Sequence, residues 1–451
     1  MDHPVAHIVP PYLLQHLAEG SEPIAESARA TLVADAEKRR ARSRHTAPTV
    51  IAGGTATTSG PSREIFDAGH TEDLPGEVVR TEGAPATGDP ATDEAYDGFG
   101  ATWTLFDEVY GRNSIDAAGM ALLGTVHYGE GYQNAFWNGE RMVFGDGDGV
   151  IFGRFTASLD VIGHELTHGV TEHTAGLTYR NQSGALNESV SDVFGVLVAQ
   201  FHAGQTAAEA DWLVGADLLL PGVDGVALRN MLHPGTAYDD PRLGKDPQPA
   251  DMSGYVHTSA DNGGVHYNSG IPNRAFALAA TAIGGHAWET VGRVWYDVLT
   301  GTDIQPGCDF ATFAGLTVDA AVARFGDGAE AAAVREGWAT VGVGGTTTDA
   351  PPSGGDGIDP NAQLLVRRTG GFAGIVRERR TSLAELPRSD RRAWAGLLVE
   401  QTLPALAAAS EPQPDAFCYG VVCHAAALDV EVAEPDLPGH VRALFERTLE
   451  G

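Results

Sequence analysis

The chain has 451 residues, 43% of them hydrophobic, and a formal net charge of −31 that lies almost entirely between residues 61 and 360. This length predicts two or three domains, and the negative field argues against nucleic acid and anionic membranes as partners. The three cysteines, Cys308, Cys418 and Cys423, form no CxxC pair, which argues against a disulfide scaffold and a thiolate metal site.

The chain contains no apolar run near the roughly 20 residues that span a bilayer, so we predict no membrane helix. Residues 1–20 lack both a basic leader and a continuous apolar stretch, and therefore predict no Sec signal peptide. The cytoplasm is the default location that follows.

The first 60 residues have the pattern of a removable segment. Helices are predicted at 13–18 and 22–42, the second ending in a basic run, and small and turn-forming residues follow at 46–62. Such a stretch should be exposed and accessible to proteases. A basic run is commonly a solvated helix face, but its position before a cleavable linker favours a pro-segment.

Residues 63–156 consist of short apolar stretches broken by Gly, Asp and Asn, which predicts strands at 121–129, 136–145 and 150–155. Beyond Leu159 the apolar period becomes helical. The predicted helices are 159–175, 184–203, 271–283, 289–300, 309–325 and 328–340. A β-rich half followed by a helical half predicts an α+β fold with two lobes and a cleft between them.

The end of the chain forms a separate region. Residues 344–360 have the composition of a flexible linker, and 361–451 predict a small α+β domain. That domain opens with a strand-like stretch at 363–380 and has helical patterns near 388–409 and 438–449.

Residues 164–168 read His-Glu-Leu-Thr-His. On a helix, residues four apart share a face, so His164 and His168 can reach one ion with Glu165 beside it. A catalytic zinc ion takes three protein ligands and keeps a fourth position for water. By itself the pattern fits a structural helix with two surface histidines equally well.

A pair of carboxylate residues follows the His-Glu-Leu-Thr-His motif (HExxH) in a mostly apolar helix. Glu188 can supply the third, anionic ligand, and Asp192, one turn later, can accept a hydrogen bond from a liganding histidine. A Glu and an Asp four apart usually mark a solvated helix face. The apolar neighbours of this pair favour a buried metal site instead.

These motifs resemble the thermolysin family. The resemblance covers 164–192, the Asn-Ala-Phe-Trp-Asn-Gly block at 134–139, Gly-Asp-Gly-Asp-Gly at 145–149 and the Asp-Asn-Gly-Gly-Val-His block starting at 261. It implies a two-lobed zinc metalloprotease over 61–343, with a β-rich N-lobe at 61–175, a mainly helical C-lobe at 176–343 and zinc in the cleft.

The resemblance also implies catalytic roles. Glu165 would activate the attacking water, while His266, oriented by Asp261, and Tyr179 would stabilise the oxyanion. Without that motif context, His266 would more commonly be structural.

Substrate binding follows from the same resemblance. Arg229 would bind a substrate carbonyl, and Asn134 with Ala135 would pair with the peptide backbone. All members of the pocket for the residue after the cut are apolar, which predicts cleavage on the amino side of bulky hydrophobic residues, although core packing is an alternative for each. These members are Phe152, Val161, Val214, Leu218 and Leu228.

The family's paired calcium site is only partly matched, by Asp160 and Asp211. Its other acids fall on Ala199, Leu213 and Ala216. Because Ca²⁺ takes six to eight oxygens, two carboxylates are a poor cage. We expect the double site to be lost or reduced, with a single calcium ion elsewhere left open.

The two ends resemble further known types. Residues 7–14 resemble the short propeptide of protealysin-type members, which implies that 1–60 is an autoinhibitory propeptide removed by self-cleavage within about 43–63. Relatives of this type include exported enzymes, so a non-Sec route is an alternative to the cytoplasm. We expect His7 at the surface and not against the zinc.

Residues 365–375 resemble emfourin, a protein inhibitor of such enzymes, which implies that 361–451 is a tethered inhibitor. An accessory domain that uses Gly-Gly in a hairpin turn is the alternative.

Taken together, these features predict a zinc-dependent endopeptidase made as a latent precursor that acts on proteins and peptides. An aminopeptidase is a weaker alternative, because the 261–270 motif and the edge at Asn134 and Ala135 favour internal peptide bonds. A latent binding or inhibitory protein with a protease fold is the second, although Glu165, His266 and the three ligands are all present.

Overall fold

The computed structural model describes residues 6–42, 60–343, 363–370, 377–399, 403, 417–423 and 428–450. The chain divides into two compact units, Met1–Thr346 and Thr347–Gly451. Both contain strands and helices, which confirms the α+β class. The expected linker at 344–360 and most of the expected cleavable stretch at 46–62 lie outside the described residues. Within the described part, no helix is long and apolar enough to cross a membrane.

A six-stranded sheet forms the first lobe of the larger unit. Its strands are β1 (Ala6–His7), β2 (Arg63–Asp67), β3 (Glu77–Thr81), β4 (Leu122–Val126), β5 (Ala135–Trp137) and β6 (Met142–Phe144). They lie in the order β1-β5-β6-β4-β2-β3. Neighbours β2, β4 and β6 run parallel and the remaining pairs antiparallel. The edge strand β1 comes from the N-terminal segment.

The predicted strand at 150–155 is wrong. Asp148 Oδ1 accepts hydrogen bonds from the backbone N–H groups of Val150, Ile151 and Phe152 at 3.0, 2.8 and 2.9 Å. These donors are therefore satisfied within a loop instead of along a strand, and Phe152 makes an isolated bridge to Leu219. Ile151, Phe152 and Phe155 are buried because the loop packs inward, whereas Val150 is exposed.

Helix α3 (Pro90–Thr104) packs between the sheet and the helical part, and the β-rich prediction for 63–156 missed it. Its start carries ordinary signals, since Asp89 Oδ2 accepts the Thr92 N–H at 2.8 Å and a proline follows the cap. A Cβ at Gly98 would lie 2.5 Å from Ile162 Cδ1, so this face of the helix meets its neighbour closely.

Two buried helices form the centre of the larger unit: α4 (Leu159–Glu172) and α5 (Asn181–Ala203). Nearly every residue of α4 is buried, as expected for a core helix. A Cβ at Gly195 would lie 2.3 Å from the Asp160 carbonyl oxygen and 2.9 Å from the His164 nitrogen. The glycine therefore permits a close approach of the two helices, which carry HExxH and Glu188.

Short strands and further helices complete this unit. The strands are β7 (Leu213–Val214), β8 (Arg229–Asn230), β9 (Asp239–Asp240) and β10 (Gly244–Lys245), paired as two hairpins. The helices are α6 (Asp261–Asn268), α7 (Gly270–Ile283), α8 (Val291–Thr300), α9 (Phe310–Phe325) and α10 (Ala329–Thr340). The predicted bounds of α7 to α10 agree within two residues. Stacked Trp295 and Trp338, with centroids 6.0 Å apart, lie in their core.

The N-terminal segment packs on the same unit. Helices α1 (Pro11–Ala18) and α2 (Ile24–Arg42) confirm the two predicted helices within two residues. Leu13, Leu14 and Leu17 are buried in the main apolar core. This segment is therefore docked by its apolar face.

The C-terminal unit has its own sheet and core. Strands β11 (Gln363–Gly370), β12 (Arg377–Ser382), β13 (Phe417–Cys423) and β14 (Leu428–Ala433) lie in the antiparallel order β12-β11-β13-β14. Helices α11 (Arg388–Val399) and α12 (Gly439–Glu450) accompany the sheet. Trp394, Tyr419 and Phe445 are buried together. The helix predicted near 388–409 is described as far as Val399.

Candidate active site

Three side chains that could hold one metal ion converge where α4 packs on α5. His164 and His168 lie one turn apart on α4, with their Nε2 atoms 3.0 Å apart. The two carboxylate oxygens of Glu188 each lie 3.5 Å from one of these nitrogens. All three side chains are buried. Such separations suit ligands that share one zinc ion at bond lengths of about 2.0–2.2 Å.

The other ring nitrogen of each histidine is held by an outer group. His164 Nδ1 lies 2.8 Å from Asp192 Oδ1, and His168 Nδ1 lies 2.8 Å from Asn187 Oδ1. Since a carboxylate only accepts, His164 Nδ1 carries the proton and Nε2 keeps its lone pair for a metal. The sequence pattern assigned no role to Asn187, although this residue directly precedes Glu188.

The chemistry of the cluster fits zinc. Glu188 Oε2 is buried and has no hydrogen-bond partner among the described residues. Burial lowers the pKa of His168 to about 3, so the imidazole is neutral, as a ligand must be. An unpaired buried carboxylate oxygen beside the neutral His168 imidazole is costly unless a cation binds there.

Asp192 connects this cluster to Arg229. Arg229 donates from Nε and Nη2 to the two Asp192 oxygens at 2.8 and 2.7 Å, and Asn273 Nδ2 donates to Oδ2 at 2.8 Å. Burial alone would raise the pKa of Asp192, but the Arg229 charge holds it well below its usual range. Asp192 is thus a fixed anion, and Asn273 is a contributor that the sequence did not reveal.

Glu165 lies between the two histidines on α4 and faces the cleft edge. Its Oε2 accepts the Trp137 N–H at 3.0 Å, while its buried Oε1 has no partner within the described residues. Burial, followed by the charge of Glu188, raises the pKa of Glu165 well above its ordinary value. A free carboxylate oxygen beside the metal cluster is where a general base would receive a proton.

His266, Asp261 and Tyr179 lie together beside Glu188. His266 Nδ1 is 2.6 Å from Asp261 Oδ1, and its Nε2 is 3.3 Å from the Tyr179 hydroxyl. Tyr179 also donates to Glu188. Burial would lower the pKa of His266, but the charges of Asp261 and Glu188 raise it to about 9. A protonated His266 is a strong donor, and zinc would offset the contribution of Glu188.

The backbone before His266 explains the sequence of its motif. Asp261, Asn262, Gly263 and Gly264 have φ of 51°, 51°, 87° and 80°, a run of left-handed residues. A Cβ at Gly263 would lie 2.0 Å from Asn181 Oδ1, so only glycine fits there. This strained turn lets Asp261 bond both the His266 N–H and its ring.

Four of the expected site residues contact the backbone of residues 7–9. They are Asn134, Ala135, Arg229 and His266. The Ile8 N–H donates to the Ala135 carbonyl at 3.2 Å, and the Val9 N–H donates to Asn134 Oδ1 at 2.9 Å. Arg229 Nη1 donates to the Ile8 carbonyl at 3.0 Å, and His266 Nε2 lies 3.0 Å from the His7 carbonyl. The N-terminal segment therefore occupies the cleft as an extended strand.

The five expected pocket residues and Ile8 are all buried in the main apolar core of the larger unit. The five are Phe152, Val161, Val214, Leu218 and Leu228, each at most 3% exposed. Phe155 is buried in the same core, with its ring centroid 5.9 Å from that of Phe152.

The expected surface position of His7 is wrong. His7 is only 2% exposed, its ring lies 5.4 Å from that of Phe136, and its Nε2 is 3.2 Å from Asp35 Oδ1. Because His7 belongs to β1, its backbone faces the cleft while its side chain packs against α2.

The two matched calcium acids are placed differently. Asp160 is 8% exposed and accepts from the Ser158 hydroxyl and the Gly215 N–H, at 2.5 and 2.6 Å. Asp211 is exposed and caps the Leu213 N–H at 3.0 Å. Their oxygens serve local turns, and reduction of the calcium site stays a prediction.

A sheet lobe and a helical lobe around a buried His-His-Glu cluster, with a glutamate beside it, define a zinc metallopeptidase. The family description "Thermolysin metallopeptidase, catalytic domain" matches residues 54–172, and "Thermolysin metallopeptidase, alpha-helical domain" matches 175–343. The chain belongs to the thermolysin metallopeptidase family and is a zinc endopeptidase made as a precursor. The family description "Emfourin" matches residues 366–449.

Relatives share most of the chain. The "Extracellular metalloprotease" of Pectobacterium carotovorum subsp. carotovorum is 53% identical, over 75% of this chain and 97% of its own. "Protease PrtS" of Photorhabdus sp. (strain Az29) is 52% identical, over 62% of this chain and 76% of its own. The solved "Precursor of Protealysin, Metalloproteinase from Serratia proteamaculans" has a TM-score of 0.69 and 53% identity, covering 75% of this chain and 100% of that one.

Proposed function

We propose that this endopeptidase cuts on the amino side of bulky hydrophobic residues and that residues 7–9 hold it latent by lying in the cleft as a substrate would. The observation that carries the proposal is the binding of the residue 7–9 backbone by Asn134, Ala135, Arg229 and His266.

The register of that strand supports the specificity. The His7 carbonyl faces His266. The next residue, Ile8, has its carbonyl on Arg229, and its side chain is buried in the main apolar core. In a bound substrate, the bond after the residue at the His7 position would be cut. The residue at the Ile8 position would then be a large apolar one, because Ile8 itself is fully buried in an apolar core.

The roles of the residues follow from this placement. Zinc held by His164, His168 and Glu188 would polarise the scissile carbonyl and acidify a water molecule. Glu165 accepts the proton from that water and passes it to the leaving nitrogen. His266 and Tyr179 donate to the developing oxyanion, and Asp261 keeps His266 oriented and charged.

The domain plan is part of the same proposal. Residues 1–60 form the propeptide, cut within about 43–63, 61–343 the peptidase, 344–360 a linker and 361–451 an emfourin-like inhibitor that acts in cis. One zinc ion is needed, and the double calcium site is reduced. The name "Extracellular metalloprotease" of a relative supports export, against a cytoplasmic default.

The specificity is tested with peptides that differ at one position, carrying Leu, Phe, Ala or Asp in an otherwise constant sequence. Cleavage sites are determined by mass spectrometry after autoprocessing, with Glu165→Ala as the blank. We expect cleavage before Leu and Phe, with kcat/KM about 10- to 200-fold higher than before Ala. Cleavage before Ala or Asp with the same kcat/KM as before Leu and Phe would contradict the proposed pocket.

The alternative of a latent binding protein gives a separate outcome. A protein that retains zinc but cleaves no peptide, even after removal of residues 1–60 and 346–451, would support that alternative.

A further inference from the structure

We propose a second metal site, formed by His70, His127 and Asp146, that binds a zinc-type divalent ion away from the catalytic cluster. One ligand atom from each of the three residues lies within 4.8 Å of the others. Two imidazoles and a carboxylate are a zinc ligand set, with a fourth position left for water. Calcium is disfavoured, because it prefers oxygen ligands.

The sheet topology brings the three residues together. His70 lies just beyond β2, His127 directly follows β4, and Asp146 is two residues beyond β6. These strands are parallel neighbours with β4 in the middle, so their carboxyl ends meet at one edge. Ligand sites of α/β sheets commonly lie outside the carboxyl ends of parallel strands.

The distances fit shared coordination. His127 Nδ1 lies 2.8 Å and His70 Nδ1 lies 3.5 Å from the same oxygen, Asp146 Oδ2. The two imidazole centroids are 5.3 Å apart and inclined at 54°, so the rings converge without stacking. A small adjustment of the exposed His70 ring would bring all three ligand atoms around one ion.

An outer carboxylate completes the arrangement. The other ring nitrogen of His127, Nε2, lies 3.2 Å from Asp89 Oδ2. Asp89 is itself fixed, because it caps α3 through the Thr92 N–H at 2.8 Å. A metal-ligating histidine characteristically donates its second N–H to such a carboxylate, which fixes the tautomer and orients the ring. Asp146 and Asp89 supply two negative charges, which balance the charge of a divalent cation.

The backbone holds the ligands in strained positions. His70 and His127 have φ of 61° and 51°, and the His70 N–H donates to the His127 carbonyl at 2.8 Å. Asp146 lies between Gly145 and Gly147, where a Cβ would come within 2.1 Å of the Tyr132 oxygen and 2.3 Å of the Phe152 oxygen. Left-handed non-glycine residues that share one cluster indicate a site built for a purpose other than packing.

The competing arrangement is a protonated His127 between Asp146 and Asp89, with no metal. That arrangement does not require His70, whose side chain is 60% exposed. His70 therefore discriminates between the two, and glycine is the replacement that best tolerates its left-handed backbone.

The test measures zinc stoichiometry of the full chain, with Glu165→Gln in every sample so that the chain stays intact. Each protein is dialysed against buffered free zinc, and bound zinc is measured by atomic absorption. We expect two zinc ions per chain without further substitution, and one zinc ion per chain in His70→Gly and in Asp146→Asn. The control His202→Ala removes an exposed histidine elsewhere and should keep two. His168→Ala should also retain one ion, and its combination with His70→Gly none.

Thermal unfolding gives a second measurement. Added zinc should raise the Tm of the His168→Ala chain, and His70→Gly should abolish that rise while leaving the zinc-free Tm equal or higher. One zinc ion in the unsubstituted chain, or two retained by His70→Gly, would overturn the proposal.

Discussion

Asp192 links the metal ligands to the groups that bind substrate. It accepts from the His164 ring and from two nitrogens of Arg229, while Asn273 supports it from α7. Each of these contacts is buried, so the loss of the carboxylate charge would leave Arg229 as an uncompensated buried cation. One residue thereby sets both the orientation of a zinc ligand and the position of a substrate-binding guanidinium.

Asp192→Asn should weaken zinc binding about 10- to 100-fold, the usual effect of removing an outer carboxylate from a liganding histidine. The rate of zinc loss to a chelator measures this directly. Ser189→Ala is the matched control, because it removes a buried polar group from the same helix without touching the cluster. Unchanged zinc affinity in Asp192→Asn would show that the Asp192–His164 bond does not orient the ligand.

His266→Ala should lower kcat about 10²- to 10³-fold with a small change in KM, because a donor to the oxyanion acts mainly in the transition state. Steady-state kinetics on the processed enzyme measures the effect, and Tyr267→Phe controls for changes to the same helix. A loss confined to KM would instead assign His266 to ground-state binding.

At the scale of elements, α2 of the N-terminal segment holds the strand that fills the cleft. Asp35 on this helix accepts from Asn134 Nδ2 at 3.0 Å and from the Tyr132 hydroxyl, and lies 3.2 Å from His7 Nε2. Ser27 also donates to the Gly131 carbonyl at 2.5 Å. The segment is thus bound to the loop before β5 as well as to the cleft.

Asp35→Ala should make the precursor process itself sooner, because the N-terminal segment is held less tightly. Leaving the buried Asn134 and Tyr132 donors without their acceptor costs about 1–3 kcal/mol, which corresponds to roughly 5- to 150-fold weaker docking. The time course of self-processing, followed by gel electrophoresis, measures it, with the exposed neighbour Glu37→Ala as control. Equal time courses for both variants would remove Asp35 from the latency mechanism.

The extent of sequence-based prediction differs between elements. Helices α7 to α10 were predicted within two residues because their apolar period is regular and uninterrupted. The loop at 150–155 has the hydrophobicity pattern of a strand. The backbone donors of Val150, Ile151 and Phe152 are instead satisfied by one side chain, Asp148, which such a pattern does not register.

The same limit applies to the site. The spacing of HExxH and Glu188 predicts a shared cluster, since helical periodicity fixes which side chains share a face. Asn273 is 81 residues from its partner Asp192 in the sequence. Asp35 is 99 residues from its partner Asn134. Only the tertiary packing brings them together, so no local pattern reveals them.

For the whole molecule, two segments of one chain are candidates for controlling the same cleft. The N-terminal segment occupies it, whereas the Emfourin-type unit has a separate sheet and core and joins through residues 344–360. The composition of residues 344–360 predicts a flexible linker, and a flexible tether of that length would maintain an effective concentration in the millimolar range. An inhibitor of modest affinity would therefore suffice in cis, while the same unit in trans would need a higher concentration.

Truncation after residue 345 should raise the peptidase activity of the processed enzyme, and the isolated unit 361–451 should inhibit the truncated enzyme in a dose-dependent manner. Hydrolysis of a peptide with an apolar residue after the cut measures both effects. The matched control is the isolated unit carrying Trp394→Ala, since loss of this buried ring costs about 3–5 kcal/mol and should abolish inhibition by unfolding the unit. If truncation leaves activity unchanged and the added unit has no effect, the C-terminal region is an accessory domain, and latency rests on the N-terminal segment alone.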